Sequence, residues 1–367
     1  MTKLDGFIKG VNLGGWLSQG SLEISHLDSF IKEEDIKRIK DMGCDHLRLP
    51  VDFENIYDEK KECDNPVGYK YIDLCIEWCK KYGLNVVLDL HKAPGYIFDD
   101  FEYSAGFFTN EKLMGLFLDI WDRLSKRYAK YSDMMMFEML NEVTSFDVIN
   151  EWNDLALRCI KVIRKNAPKV KILYGGVGYS SVKAVKFIPA PYDENIVFNV
   201  HCYEPMAFTH QGAYWVDKMP TDFRIGYPVD EIKYKEICKI VPSLVNGTLG
   251  DADNALKMLE NNFFINLFKE CVDCAEKYNV GLYCGEYGVI DRADPKSSLI
   301  WIKHINQAFE YYGIARAIWS YKKMDFGIID DHYKDIYDEL IKYLWLLCKF
   351  FLIIIEIYLF CNIIITW

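Results

Sequence analysis

The sequence predicts an α/β fold: a (β/α)8 TIM barrel with a small inserted subdomain after the sixth strand. Three observations predict it. Eight short apolar runs alternate with helical patterns. Several runs are apolar throughout, as parallel strands buried on both faces must be. Polar residues stand at their C-terminal ends, where barrels of this kind build their sites. The length of 367 residues suits one such barrel as well as two smaller domains.

The predicted strands lie at 7–13, 46–50, 85–90, 134–140, 171–174, 196–201, 281–285 and 315–319. They are rich in β-branched and aromatic residues. Helical spacing falls between them at 33–42, with Ile36 and Ile39 on one face, and at 71–82, 111–129, 148–166, 180–187, 266–278 and 297–312. A last helix begins near Lys334. The interval 204–262 does not fit the repeat. It holds Pro205, Pro220, Pro228, Pro242 and the run Asn246-Gly247-Thr248-Leu249-Gly250-Asp251. A structureless loop of that length would be unusual, so it is expected to form a subdomain over the C-terminal mouth of the barrel. The barrel domain is then 1–343. Residues 344–367 make an apolar tail in which only Lys349 and Glu356 are charged and 15 residues are Leu, Ile or Phe. Those side chains favour membrane insertion by roughly 4.5–9 kcal/mol and the two charges oppose it by roughly 5–7 kcal/mol. Three readings therefore stay open for the tail: a non-native extension, a membrane-associating segment, or a helix packed on the barrel.

Composition excludes several functions. The formal net charge is −11, which argues against nucleic-acid binding, since that needs basic patches to meet phosphate. Hydrophobic residues at 51% and charged residues at 26% exclude disorder and supply a large core. Aromatics reach 15%, enough to leave some at the surface for flat apolar ligands. The 12 cysteines are not a disulfide scaffold in a chain this long. Cys75 with Cys79, and Cys271 with Cys274, lack a second pair at metal spacing. No cofactor and no metal are expected. Residues 1–10 show no apolar leader, which together with the many thiols points to the cytoplasm; a monomer is expected. His46 reads as a satisfied core residue. Gly175-Gly176-Val177-Gly178 reads as a turn, because no Lys-Ser/Thr follows it.

The strand ends carry Arg48, His91, Asn141 with Glu142, His201 with Tyr203, Glu286 and Trp319. Two carboxylates, Glu142 and Glu286, end strands four and seven and face one mouth. Paired carboxylates about 5–5.5 Å apart suit glycoside hydrolysis by double displacement. A single strand-end Glu is more often a helix cap or ion pair. An ordered set of polar and aromatic residues at six strand ends is not explained that way.

These residues give the chain its resemblance. Over about residues 7–343 it resembles glycoside hydrolase family 5, the cellulase family. Its signature reads Met136-Phe137-Glu138-Met139-Leu140-Asn141-Glu142-Val143, with Val143 where many members have Pro. The pattern is most similar to that of leaderless clostridial-type endoglucanases through Gly10-Val11-Asn12-Leu13-Gly14-Gly15-Trp16, Lys92-Ala93-Pro94-Gly95-Tyr96, Phe208-Thr209-His210-Gln211 and Tyr321-Lys322-Lys323-Met324-Asp325-Phe326. The resemblance implies a retaining hydrolase of β-1,4-glucosidic bonds in cellulose-type glucans, cello-oligosaccharides or mixed-linkage glucan. Alternatives are β-mannan or β-1,3-glucan hydrolysis, transglycosylation, or a non-catalytic carbohydrate-binding barrel. It further implies that Glu286 is the nucleophile and Glu142 the acid and base. Arg48 and Tyr203 would hold Glu286 ionised by lowering its pKa. Asn141 would bind the sugar 2-hydroxyl, His91 and His201 would line the cleaved-sugar subsite, and Trp319 would floor it. Trp16, Phe208, His210, Trp215, Tyr321 and Lys322 are candidates for outer subsites, with ordinary packing as the alternative for each.

Overall fold

The computed structural model describes residues 1–345 except 246–248, 250 and 261. Eight parallel strands close a barrel. They are β1 (Lys9–Asn12), β2 (His46–Asp52), β3 (Asn85–Lys92), β4 (Met135–Glu138), β5 (Lys171–Gly175), β6 (Ile196–His201), β7 (Gly281–Glu286) and β8 (Ala315–Ile318). Every predicted strand is present, with ends shifted by a few residues. Around them run α1 (Glu33–Asp41), α2 (Pro66–Tyr82), α3 (Glu111–Tyr128), α4 (Ile149–Asn166), α5 (Glu231–Ile240), α6 (Ala252–Glu260), α7 (Phe263–Tyr278), α8 (Pro295–Tyr312) and α9 (Tyr337–Trp345).

Local chemistry sets the helix ends. Asn65 accepts from the Val67 amide ahead of Pro66, so α2 starts five residues before the apolar spacing suggested, and Gly83 ends it at φ 66°. Asp294 and Pro295 start α8 in the same way. The α-helix expected at 180–187 does not form. Gly178, Tyr179 and Ser180 all have positive φ, which a right-handed helix cannot accommodate, and only a 3₁₀ stretch at Val182–Phe187 remains.

The barrel interior is layered. Leu4, Phe7, Val87, Met136, Leu173, Val197, Tyr283, Ala315 and Ala317 form an apolar floor toward the N-terminal ends of the strands. His46 stands beside that floor, fully buried, and is satisfied by Asp45 at 2.7 Å and the Tyr283 hydroxyl at 2.8 Å. A larger core lies between strands and helices. Phe208, Tyr227, Tyr234, Ile237, Val241 and Leu244 from the 204–262 interval join that same core. The interval is tied to the barrel where the Trp301 indole donates to the Glu204 carbonyl and the Ile290 amide to that of Thr209.

Helix α9 runs two residues into the predicted tail. Leu344 is fully buried; its carbonyl accepts from Arg316 at 3.2 Å, and that of Trp345 from Lys9 at 2.8 Å. The remainder of the apolar tail, 346–367, lies outside the described residues, as does most of the 246–251 run. Among the described residues no helix is long and apolar enough to cross a membrane, and the ten cysteines are unpaired.

Because Leu340 and Leu344 are both fully buried, truncating either to Ala should lower stability by about 2–5 kcal/mol. Urea unfolding measures this. A chain ending at Trp345 should keep its cooperative transition, whereas one ending at Ile336 should lose it.

Candidate active site

Above the apolar floor sits a layer built on one buried cation. The Arg48 guanidinium is fully buried. It holds Glu138 with two bonds of 2.7 and 2.9 Å, Asp89 at 2.9 Å and Glu286 at 2.7 Å. It also donates to the side-chain oxygens of Asn12 at 3.0 Å and Asn141 at 2.9 Å. Asn199 donates to Glu138 at 2.9 Å, accepts from the Gly285 amide at 3.1 Å, and so ties β6 to β4 and β7.

Asn12, Asp89, Glu138 and Asn199 were not among the sequence candidates. The signal was present: each is a polar residue within an expected, mostly apolar strand. Asp89 and Asn199 also stand two residues before His91 and His201, on the same face of the strand.

Two backbone irregularities aim the carboxylates. The register between β6 and β7 shifts at Val200/His201, so that His201 pairs with Glu286. Gly285 is the extra residue. A Cβ there would lie 2.8 Å from Asn199 and 3.0 Å from His201, so position 285 faces the interior and must be glycine. The bulge then turns the next side chain, Glu286, inward as well. Strand β4 ends at Glu138, earlier than expected, and Glu142 takes φ 37°, which lets Asn141 and Glu142 both face the mouth.

Glu286 accepts from the Tyr203 hydroxyl at 2.9 Å through its second oxygen. The His201 Nδ1 shares a hydrogen bond of 2.7 Å with Glu142 and lies 3.7 Å from Glu286. Oxygens of the two glutamates lie within 4.8 Å of each other.

Burial raises both carboxyls. Glu142 is pushed up to about 8, by burial first and then by Glu138 and Asp89, against the pull of Arg48. Glu286 is pushed up to about 7 by burial, opposed by His201, Arg48 and Tyr203. The expectation that Arg48 and Tyr203 hold Glu286 low is therefore corrected. Desolvation outweighs them, because Arg48 divides its charge among three carboxylates. The two groups still differ in the expected order, with Glu286 the more easily ionised.

The other candidates gather at the same mouth. The His91 Nδ1 bonds Asp89 at 2.6 Å, and burial lowers its pKa to about 3, so the ring is neutral. Its face stacks on Trp319 with centroids 5.8 Å apart and planes 8° apart. Trp319 is 7% exposed, and a Cβ on Gly14 would lie 2.8 Å from its ring. Asn141 Nδ2, His201 Nε2 and Asp89 Oδ1 are buried without a protein partner.

The outer candidates divide. Trp16 donates to the Leu27 carbonyl and stacks on Trp78, and Phe208 packs on Tyr227; both are core. Tyr321 and Lys322 both bond Asp35 on α1. His210 sits edge-on to Tyr203 at 4.9 Å, and half-exposed Trp215 lies against His210 and Phe326.

Glu142, His201 and Glu286 are the one group among the described residues that could ligate an ion. Their facing atoms already serve one another, Arg48 and Tyr203, and Arg48 supplies the positive charge an ion would bring.

Comparison with known proteins places the chain in a family. The family model for cellulase (glycosyl hydrolase family 5) matches residues 12–325. The chain is 41% identical over 316 residues to cellodextrinase A of Ruminococcus flavefaciens, covering 86% of each. It is 39% identical over 352 residues to endoglucanase C of Acetivibrio thermocellus, covering 92% of this chain and 98% of the relative. In fold it is similar to an endoglucanase of Thermotoga maritima, with TM-score 0.71, 24% identity and coverage of 93% and 97%. It is similarly close to the clostridial cellulose synthase subunit Z of Clostridioides difficile, with TM-score 0.72, 24% identity and coverage of 92% and 99%.

Millimolar EDTA should leave both the melting temperature and turnover on β-glucan unchanged. A loss restored by a divalent ion would show that the Glu142–His201–Glu286 group binds metal. Trp319→Ala should cut kcat/KM at least tenfold. It should also cost about 3–5 kcal/mol of stability, since so little of the ring is exposed; thermal unfolding and steady-state kinetics separate the two effects.

Proposed function

The chain belongs to glycosyl hydrolase family 5, the cellulase family, and we propose that Glu286 is its nucleophile and Glu142 its acid and base. It is a glycoside hydrolase acting on β-1,4-glucosidic bonds. Relatives named cellodextrinase and endoglucanase favour soluble cello-oligosaccharides and β-glucans as substrates. The observation that carries the residue assignment is the spacing of the two buried carboxylates, whose oxygens lie within 4.8 Å. That is near the separation of about 5–5.5 Å in retaining enzymes and short of the roughly 6.5–9.5 Å that an inverting enzyme needs for its water.

The roles follow from the partners. Glu286 accepts hydrogen bonds from Arg48 and Tyr203 and is the carboxyl that ionises first. Its oxygen bonds to the anomeric carbon as the bond to the leaving oxygen breaks. Glu142 donates its proton to that oxygen. A water then attacks the same carbon, gives its proton to Glu142, and displaces Glu286, so two inversions leave the β configuration. Asn141 is anchored to Arg48 through its oxygen, and its free Nδ2 is the donor offered to the sugar 2-hydroxyl. Trp319, braced by His91, is the apolar floor.

Activity needs Glu286 ionised and Glu142 protonated. Turnover should rise as pH climbs through about 7 and fall beyond about 8, a bell whose limbs belong to the pair. Tyr203→Phe removes a hydrogen bond to the ionised form of Glu286, so the acid limb should move upward by about one pH unit. Glu286→Ala should abolish turnover on every substrate. Glu142→Ala should cost about 10²–10⁴ on cello-oligosaccharides yet spare the first step for aryl glycosides of acidic phenols, with azide speeding the second. An NMR time course in which the α-anomer appears first would falsify the assignment.

A further inference from the structure

The segment Ala93-Pro94-Gly95-Tyr96, directly after β3, has no part in the chemistry above. It is a tight reversal. Pro94 presets φ at the second position, and Gly95 takes φ 81° at the third, as a type II turn requires. Ala93 and Tyr96 close it, each amide donating to the other's carbonyl, at 3.0 and 2.8 Å. Leu113 of α3 lies against the turn, where a Cβ on Gly95 would come within 2.5 Å of it. The turn thus delivers Tyr96 to a fixed place. Its side chain is 2% exposed and packs on Phe107 and Phe108, each with ring centroids 5.4 Å away.

The Tyr96 hydroxyl meets main chain rather than another side chain. It donates to the Glu142 carbonyl at 3.0 Å and accepts from the Thr144 amide at 3.0 Å. Just before it, the Asn141 amide donates to the Leu90 carbonyl at 3.2 Å. Past that rung the hydroxyl takes the place of a strand partner. The conformation it holds is an unusual one. Glu142 has φ 37°, outside the regions that a residue with a Cβ adopts freely, and such a backbone persists only where its surroundings fix it. The Tyr179 amide donates to the Val143 carbonyl at 3.0 Å, so both peptide groups flanking Val143 are held. Burial pushes the Tyr96 phenol up to about 12, and the hydroxyl keeps its proton at neutral pH.

We propose that Tyr96 is a positioning residue for Glu142: by fixing the main chain on both sides of Val143, its hydroxyl sets the direction in which Glu142 presents its proton to the leaving oxygen. This rests on Glu142 being the acid. The two glutamates are held differently. Glu286 is gripped at both side-chain oxygens, by Arg48 and by Tyr203. Glu142 is bonded to His201 through one oxygen, and its aim depends on its backbone. A proton donor must stand within hydrogen-bond reach of the bridging oxygen as that bond breaks, and a small misplacement is costly. Without the hydroxyl, a buried carbonyl and an amide lose their partner, and Glu142 is free to leave the left-handed region. The attack by Glu286 does not pass through this peptide, so the effect of Tyr96 falls on the leaving group.

The test is Tyr96→Phe in the full-length enzyme, which removes the hydroxyl and keeps the ring. Two substrates are compared by kcat/KM, which reports the first chemical step. The sugar leaving group of cellotetraose needs a proton, whereas the phenolate of 2,4-dinitrophenyl β-cellobioside does not. The value for cellotetraose should fall about 10–100-fold and that for the aryl glycoside by less than about threefold. Tyr203→Phe, which acts on the nucleophile, should lower both alike. Equal losses in Tyr96→Phe, no loss on cellotetraose, or the same split in Tyr203→Phe would overturn the proposal. Should Tyr96→Phe fail to fold, the ratio is read in Phe108→Leu, which loosens one wall of the Tyr96 ring and keeps the hydroxyl; an unchanged ratio there would overturn it too. Glu142→Ala checks the premise. If it loses the aryl glycoside as heavily as cellotetraose, Glu142 is not the acid and this inference goes with that assignment. If it spares the aryl glycoside and Tyr96→Phe does not, this inference alone is overturned.

Discussion

The site depends on the Arg48 guanidinium being shared. A lone cation buried this deeply would be costly, and so would each carboxylate around it. Placed together, Asp89, Glu138 and Glu286 give Arg48 its charge partners, while Asn12 and Asn141 fill its remaining directions. The sharing has a chemical result. Glu138 takes two of the guanidinium bonds and Glu286 takes one, so Arg48 orients Glu286 without neutralising it. The residue that fixes Arg48 most firmly is not one that meets the reacting bond.

The layers above and below follow from that cluster. Beneath it the apolar floor excludes water, which strengthens every charge interaction in the layer. Above it the strand ends bend away from regular geometry, among other places at the bulge of Gly285 and the left-handed Glu142. Both of these departures aim a carboxylate that regular strand geometry would have sent elsewhere.

Much of this was legible beforehand, and the reasons differ by residue. The eight strands showed because strands buried on both faces read as apolar runs. His91, Asn141, Glu142, His201, Glu286 and Trp319 showed because strand ends are where a barrel exposes chemistry; Arg48 was read with them because its strand was expected to stop at 50, whereas β2 runs on to Asp52. Asp89 and Glu138 were passed over because they fall inside the expected strands 85–90 and 134–140, where a charge makes sense only once its partner is known. The bulge was hidden because composition carries no register. The pKa of Glu286 was misjudged because its partners are visible in a sequence and the water it loses is not. Residues 180–187 have helical composition, but the three residues at 178–180 had already turned the chain the other way.

The sealed floor has a kinetic meaning as well. Water reaches the carboxylate layer from the mouth, since the opposite end is filled by Leu4, Phe7, Tyr283 and their neighbours. A glucan chain lying across the mouth would close that route. Glu142 and Glu286 would then keep through the first chemical step whatever proton count they held on binding, exchanging protons with each other or with the sugar before exchanging with the solution.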